Sequence, residues 1–263
     1  MKIGLIIIGD EILSGKREDR HLARFIELLS ARGLSLSWAQ YLGDEREHIA
    51  AQLRLAFASG DLVVCCGGIG ATPDDHTRQA AAAALDRELV LHPEARELIW
   101  QRILQMAAEQ GSSAEPDHPD TLRRLEMGVF PAGAEIVPNP YNKIPGFSVG
   151  SVYFVPGFPV MAHPMMEWVL DRHAALHRPV GVIERSLIVQ GAMEASLTPL
   201  MERIEADFAG IKVFSLPSVD HPRWGRHIEL GVKGEAAQLD AAYAALKAGV
   251  LQFGAVISTE MVR

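Results

Sequence analysis

The chain has 263 residues, of which 48% are hydrophobic and 22% charged, and its net charge at pH 7 is −8. This composition excludes disordered and fibrous chains, and the length suits one large domain with a smaller one. The negative charge argues against sequence-independent binding to nucleic acid, which requires many Lys and Arg side chains. The apolar run at residues 3–8 is too short for a signal peptide or a membrane span. We therefore expect a cytoplasmic protein without nucleic-acid or membrane partners.

Strands and helices alternate along the first part of the chain. Residues 3–8 form a continuous apolar run, typical of a strand buried on both faces, and residues 36–42 and 62–66 predict two further strands. Apolar residues at helical spacing predict a helix over 18–32 and another after Asp44, where Asp44 and Glu47 resemble a capping box. Because this alternation requires crossover connections, it indicates a mostly parallel sheet covered by helices on both faces.

The middle of the chain predicts more helix and one more strand. Helices are expected over 74–85, 93–110 and 161–176, and a polar, Pro-containing loop over 111–120. A strand at 151–155 lies between two segments rich in Pro and Gly. These elements complete a three-layer α/β domain, which we assign to residues 1–178.

The last part of the chain has a different order of elements. Strand, helix, strand, strand, helix, strand are predicted at 186–190, 194–208, 211–215, 226–232, 235–248 and 254–258, with a Pro- and His-containing loop before the third strand. This is the order of a ferredoxin-like α+β unit. We assign this smaller domain to residues 179–263.

The clearest chemical signal is the segment at 66–77, Cys-Gly-Gly-Ile-Gly-Ala-Thr-Pro-Asp-Asp-His-Thr, between a strand and a helix. Glycines let a backbone approach a ligand closely, and the free N–H groups of a helix start attract anions, so the segment predicts a phosphate site. Its spacing matches neither the Rossmann fingerprint nor the P-loop. The alternative is a tight turn in which Thr72 is the N-cap, Pro73 the first helical residue and Asp75 the end of a capping box.

Acidic residues follow each of the first three predicted strands. Asp10 and Glu11 follow the first, Asp44 the second, and Asp74 and Asp75 the third. Parallel strands end at one rim of the sheet, where ligands of open α/β sheets bind, so these carboxylates are expected to converge. Hard oxygen ligands beside a phosphate suit a divalent metal such as Mg²⁺, with Asp10, Glu11 and Asp74 as the candidate ligands. Singly, each acid is more typical of a helix cap or a solvated loop.

Five motifs occur in a characteristic order: Gly9-Asp-Glu-Ile-Leu-Ser-Gly15, the glycine-rich segment, Asn139-Pro140, Pro145-Gly146 and Val155-Pro-Gly-Phe-Pro159. They resemble the motifs of the CinA family (competence/damage-inducible protein A) over nearly the whole chain. More distantly, the first domain is similar to the molybdopterin-binding proteins of molybdenum cofactor biosynthesis. The resemblance implies a homo-oligomer, a dimer or trimer. Because the sequence ends at Arg263, we expect the amidase domain of longer members to be absent.

The resemblance also implies a ligand and roles for single residues. The ligand would be a small phosphorylated molecule, either molybdopterin or a nucleotide, and some members are thought to be metal-dependent pyrophosphatases acting on ADP-ribose or related dinucleotides. Asp75 and Asp44 would be catalytic. The ligand-binding residues would be Gly9, Gly67, Gly68, Gly70, Thr72, Asn139, Gly146, Pro156 and Gly157. Lys143, where the chain departs from the family, is a further candidate as a point charge that contacts a phosphate.

The chain also departs from the family pattern, at His21, at Asn142-Lys143 and at Met161. These departures favour a second hypothesis, a non-catalytic protein that binds molybdopterin or a nucleotide in the same pocket. A third hypothesis, an oligomeric scaffold, requires the acids to be helix caps only.

Overall fold

A computed structural model describes residues 1–177 and 182–262. The chain divides into two compact units, Met1–His177 and Arg178–Arg263. The strands of the first unit are β1 (Ile3–Ile8), β2 (Trp38–Leu42), β3 (Leu62–Cys66), β4 (Leu89–Leu91), β5 (Val129–Pro131), β6 (Glu135–Val137), β7 (Gly146–Val149) and β8 (Val152–Val155). Its helices are α1 (Asp10–Leu13), α2 (His21–Ser30), α3 (Arg46–Ser59), α4 (Thr77–Leu85), α5 (Pro93–Glu109), α6 (Pro119–Leu125) and α7 (Pro159–Arg172).

The central sheet of this unit has the strand order β2-β1-β3-β8-β7-β6. Its first four strands are parallel, whereas β7 is antiparallel to β8 and β6 is antiparallel to β7. The strands β4 and β5 form a separate antiparallel pair. The predicted mostly parallel α/β sheet is confirmed.

Two apolar cores cover the two faces of this sheet. Ile6 and Ile8 of β1 pack into one core together with residues of α3 and α4, and Leu5 and Ile7 pack into the other together with residues of α2 and α7. Successive side chains of a strand point to opposite faces, so a strand between two layers of helices must be apolar throughout. This explains the unbroken run Ile3–Ile8 and confirms three layers.

Several predicted helix starts are wrong. The helix α4 begins at Thr77, so Thr72 and Asp75 lie outside it and form no capping box. The helix α3 begins at Arg46 after Glu45, and no side chain caps it. The predicted loop at 111–120 ends where α6 begins at Pro119. Pro73 favoured an early helix start, but the backbone at Thr72 and Asp75 closes a separate turn instead.

The second unit contains β9 (Val182–Gln190), α8 (Glu194–Asp207), β10 (Lys212–His221), β11 (Gly225–Glu235), α9 (Ala236–Gln252) and β12 (Val256–Val262). Its sheet has the order β10-β11-β9-β12 with every pair antiparallel, which confirms the ferredoxin-like arrangement. Apolar side chains of α8 and α9 pack on one face of this sheet. The predicted loop before the third strand is wrong in length, because β10 continues through Pro217 to His221 before the chain turns.

Within the two described ranges, no helix is both long and apolar enough to cross a membrane.

Candidate functional site

A cleft of about 400 Å³ lies in the first unit, where β1, β3 and β8 end. Two loops contribute to its lining. The glycine turn is residues 67–76, which follow β3, and the asparagine loop is residues 139–145, which follow β6. Residues after β1, β2 and β8 complete the wall. The cleft therefore occupies the carboxyl edge of the parallel strands, the usual ligand position in such sheets.

The glycine turn requires glycine at its start. Gly67 and Gly68 have φ angles of 105° and 69°, which other residues rarely adopt. A Cβ atom on Gly68 would lie 2.2 Å from the hydroxyl oxygen of Thr77. That hydroxyl donates a hydrogen bond to the carbonyl of Gly67 (2.9 Å), and the N–H of Thr77 donates to the carbonyl of Gly68 (3.0 Å). The buried Thr77, the first residue of α4, thus fixes the backbone of the turn.

A buried arginine lies directly behind this turn. Arg78 is 5% exposed, and its guanidinium donates hydrogen bonds to the carbonyl of Gly70 (2.5 Å) and to the carbonyl of Glu126. Among the described residues Arg78 has no ion pair with a carboxylate, and its Nε is buried without a partner. Burial lowers the pKa of the guanidinium, against the opposing effect of Asp75 and Glu126. A positive charge therefore lies beneath the phosphate site predicted from the sequence.

Thr72 and Asp75 close a compact turn at the mouth of the cleft. The N–H and the hydroxyl of Thr72 both donate to Oδ2 of Asp75, at 2.8 and 2.5 Å, and the N–H of Asp75 donates to the carbonyl of Thr72 at 3.0 Å. No hydrogen bond among the described residues uses Oδ1 of Asp75. One carboxylate oxygen thus holds the turn, and the other remains available to a ligand or a water molecule.

The carboxylates of Glu11, Asp44, Asp74 and Asp75 line the cleft, whereas Asp10 does not. Asp10 and Asp44 are tied to each other, because each backbone N–H donates to the other residue's carboxylate, at 2.9 and 3.2 Å. Partial burial raises the pKa of Asp44, and the neighbouring charges of Asp10, Glu11 and Asp74 act in the same direction. An anion cannot bind beside such a group of acids without a source of positive charge.

The donor atoms of the cleft determine whether it fits a divalent cation. In residues 1–177 and 182–262, no group of three or more His, Cys, Asp or Glu side chains is arranged to hold a metal ion. The cleft nevertheless offers four carboxylates, which are hard oxygen donors, and Mg²⁺ in nucleotide sites commonly uses one or two carboxylates together with water and phosphate oxygens. The residues therefore fit a cation that arrives with a phosphorylated ligand, and Glu11 and Asp44 are the side chains that would hold it.

The asparagine loop is organised by one buried side chain. Asn139 is 4% exposed, and its Nδ2 donates to Oδ1 of Asn142 (2.8 Å) and to the carbonyl of Ile144 (2.9 Å). Its Oδ1 accepts from the N–H of Tyr141 (3.1 Å). Lys143 is exposed and lies outside the cleft lining. The amide of Asn139, predicted to bind ligand, is thus occupied in shaping the loop.

The segment after β8 is held by a buried histidine. The Nε2 of His21, at the start of α2, lies 3.0 Å from the carbonyl oxygen of Gly157. Burial lowers the pKa of His21, although the Gly157 carbonyl and the charge of Asp19 oppose this. Because a carbonyl only accepts, the ring donates its Nε2 hydrogen and fixes the position of Gly157 at the cleft.

The structure brings most of the predicted site residues together. Those that line the cleft are Gly9, Glu11, Asp44, Gly67, Gly68, Gly70, Thr72, Asp74, Asp75, Asn139, Pro156 and Gly157. Asp10, Lys143 and Gly146 lie outside the lining. Gly146 is within β7, where a Cβ would meet the carbonyl oxygen of Phe154 at 2.2 Å. Its glycine requirement therefore arises from strand packing.

Sequence reasoning did not assign roles to Thr77 and Arg78. Thr77 ends the glycine-rich segment and Arg78 follows it. A polar residue in the first turn of a helix is usually exposed, and nothing in the sequence shows that these two are buried.

Comparisons with known proteins agree with this architecture. The sequence profile described as "Probable molybdopterin binding domain" matches residues 4–176. A protein of Caldivirga maquilingensis is 30% identical over 217 residues, which cover 80% of this chain and 79% of that protein. A putative competence-damage inducible protein of Alkaliphilus metalliredigens is 30% identical over 210 residues, which cover 78% of this chain. The same match covers 48% of that relative, so this chain spans about half its length.

Among solved structures, the protein CinA of Thermoplasma acidophilum, of unknown function, is similar with a TM-score of 0.52 and 26% identity. The match covers 66% of this chain and 98% of that one.

Proposed function

The chain belongs to the family of probable molybdopterin binding domains and has CinA-like relatives, and on that premise we propose that its cleft binds a phosphorylated nucleotide or pterin and hydrolyses the pyrophosphate bond of an ADP-ribose-like dinucleotide. One observation carries the proposal. Four carboxylates line the same cleft as the glycine turn that leads into α4.

The glycine turn binds the diphosphate. The N–H of Gly67 donates to the carbonyl of Val155, whereas no hydrogen bond among the described residues uses the N–H groups of Gly68 and Gly70. These two groups precede the start of α4, where the helix dipole favours an anion. The buried guanidinium of Arg78 adds a full positive charge behind Gly70, and a charge with little solvent screening acts over a longer distance than an exposed one. These contacts hold the ligand against the repulsion of the neighbouring acids.

Asp75 acts on the water that attacks. Its Oδ1 accepts a proton from a water molecule whose oxygen bonds to one phosphorus, and the bond from that phosphorus to the bridging oxygen breaks. ADP-ribose then gives AMP and ribose 5-phosphate. Thr72 keeps Oδ2 fixed, so the orientation of Oδ1 is set before the ligand arrives. A divalent cation held by Glu11 and Asp44 would neutralise charge on the diphosphate.

The same geometry supports a second candidate, a non-catalytic binding protein. Asp75 is bonded twice within its turn, and no three-ligand metal group exists among the described residues. In this case Asp75 shapes the pocket, and the ligand leaves unchanged.

Incubation with ADP-ribose, FAD, NAD and an adenylylated pterin, each with and without Mg²⁺, Mn²⁺ or Co²⁺, separates the two candidates. The hydrolase predicts metal-dependent cleavage that falls by at least about 100-fold in Asp75→Asn, because the amide keeps the turn but accepts a proton poorly. The exposed Asp117→Asn is the matched control. Saturable binding without cleavage of any compound would support the binding protein, and the absence of both would contradict the two candidates.

We also propose that the protein is a homo-oligomer, because the family resemblance implies a dimer or trimer. Light scattering is expected to give two or three times the chain mass of 28.7 kDa. The mass of a single chain would contradict this part of the proposal.

A further inference from the structure

A second cavity of about 310 Å³ adjoins the cleft. Met127, Asn142 and Ile144 line both, so the two cavities are neighbours across these three residues. We call the second one the side cavity. Each volume falls in the range of pockets that bury a small molecule. A ligand longer than the cleft therefore has a place to extend.

The side cavity differs chemically from the cleft. Of the described residues that line it, none is acidic, whereas four carboxylates line the cleft. Its floor is formed by apolar side chains of α5, including Ile103 and Met106, and two arginines, Arg102 and Arg124, stand beside them. A flat aromatic ring suits such a surface, because a guanidinium packs against aromatic rings.

Arg124 is the more available of the two cations. Arg102 lies 3.6 Å from the carboxylate of Glu109. Among the described residues Arg124 has no ion pair, and its side chain donates a single hydrogen bond, to the sulfur of Met106 at 3.9 Å. An exposed arginine next to an apolar floor, with no ion pair to a carboxylate, is free to stack on the ring of a ligand.

Tyr141 supplies an aromatic face at the same place. Its side chain is 62% exposed, while its backbone N–H is held by the buried amide of Asn139. A ring on a fixed backbone loses little conformational freedom when a second ring stacks on it. Heteroaromatic bases of every kind stack on aromatic side chains, because each base has a flat π face.

We propose that the side cavity binds the heteroaromatic half of a two-part ligand, with its ring against Tyr141 and the guanidinium of Arg124, while the diphosphate occupies the glycine turn. This inference rests on the proposed function, since it describes the same ligand. It restricts the substrate class to molecules that join a diphosphate to a base, such as ADP-ribose, over those that carry a phosphate alone.

Calorimetry with two probes, ADP-ribose and inorganic pyrophosphate, tests this in the intact chain. Tyr141→Leu and Arg124→Gln are each expected to weaken ADP-ribose binding about tenfold and to leave pyrophosphate binding unchanged. Tyr141→Phe keeps the ring, and Arg123→Gln removes an exposed charge from the same helix outside the cavity, so both controls should match the wild type.

The outcomes separate the two proposals. Wild-type affinity for ADP-ribose in both variants, or an equal loss for both probes, would overturn the side cavity and leave the cleft intact. Binding of ADP-ribose that depends on Tyr141 and Arg124, with no binding of pyrophosphate, would support the side cavity and overturn the diphosphate site. The absence of binding by either probe would overturn both.

Discussion

The glycine turn and the asparagine loop face the same cleft and are held in place in the same way. In the first, buried Thr77 and Arg78 bind the carbonyls of three glycines. In the second, buried Asn139 binds the backbone of Tyr141 and Ile144. In both, the buried polar side chain bonds to the loop's own backbone. Asp75 of the first loop lines the cleft with one carboxylate oxygen unbonded, and Tyr141 of the second exposes its ring at the side cavity.

The two loops differ in charge. Arg78 places a cation behind the glycine turn, whereas the amide of Asn139 is neutral. Both anchors determine shape, and under the proposed function only the glycine turn also attracts an anion. Substitution of each anchor should therefore give a different result.

Asn139→Ala should have the largest effect on stability. The N–H of Tyr141 and the carbonyl of Ile144 both lose their partner, and buried polar groups left without hydrogen bonds cost about 1–3 kcal/mol. We expect the free energy of unfolding in urea to fall by about 2 kcal/mol. Tyr141→Ala, an exposed change in the same loop, should alter it by less than about 0.5 kcal/mol. Equal stability of Asn139→Ala and the wild type would show that the amide does not anchor the loop.

Arg78→Met tests the charge of the glycine turn. Removal of a cation that is screened little by solvent should weaken pyrophosphate binding about tenfold. Arg78→Lys keeps the charge but only part of the hydrogen bonding, so its affinity should lie between those of Arg78→Met and the wild type. Calorimetry at low salt measures all three. If Arg78→Met bound pyrophosphate as tightly as the wild type, Arg78 would be an anchor only, like Asn139.

His21→Gln extends the comparison to the segment after β8 and should have the smallest effect. Burial lowers the pKa of His21 below its usual value of 6.5. The unfolded chain therefore takes up a proton before the folded one, and stability is complete above pH 6.5 and falls as the pH drops below it. Gln keeps a donor for the Gly157 carbonyl but does not titrate.

Thermal unfolding at about pH 7.5 and about pH 5.5 checks this prediction. The melting temperature of the wild type should fall by a few degrees more than that of His21→Gln. His163, whose ring centre is 5.5 Å from that of His21 and whose pKa is also lowered by burial, remains in both proteins, as do Asp19, Arg24 and Glu167. An identical fall in the two proteins would refute a role for His21 titration.

The elements that pack on both sides were the most predictable from the sequence. The bounds of β1 and β3 agree with the prediction, because strands between two helix layers leave an unbroken apolar run in the sequence. The short pairs β4 with β5 and β6 with β7 were missed. Strands of three or four residues contain too little of a period for recognition. β8 is as short, but its four residues are all apolar, whereas Pro131 and Gly146 favour loops.

The site was predictable where backbone conformation demands a particular residue. Gly67 and Gly68 have positive φ angles that favour glycine. The parallel strands bring the acidic residues that follow each strand to one edge of the sheet. The sequence does not reveal whether a side chain near a motif turns inward. Arg78 and Asn139 are buried and bind the backbone, whereas Lys143, expected at the ligand, is exposed and lies outside the lining.

Gly68→Ala compared with Gly111→Ala tests most directly the proposal that the glycine turn binds a diphosphate. Both glycines have nearly the same left-handed φ, 69° and 65°, but the new methyl group meets the hydroxyl of Thr77 at Gly68 and open space at Gly111. The two variants therefore carry similar backbone strain, and they differ in whether the new methyl group disturbs the glycine turn. Calorimetry with pyrophosphate should give at least about tenfold weaker binding for Gly68→Ala and unchanged affinity for Gly111→Ala. Equal affinity of the two variants would contradict the claim.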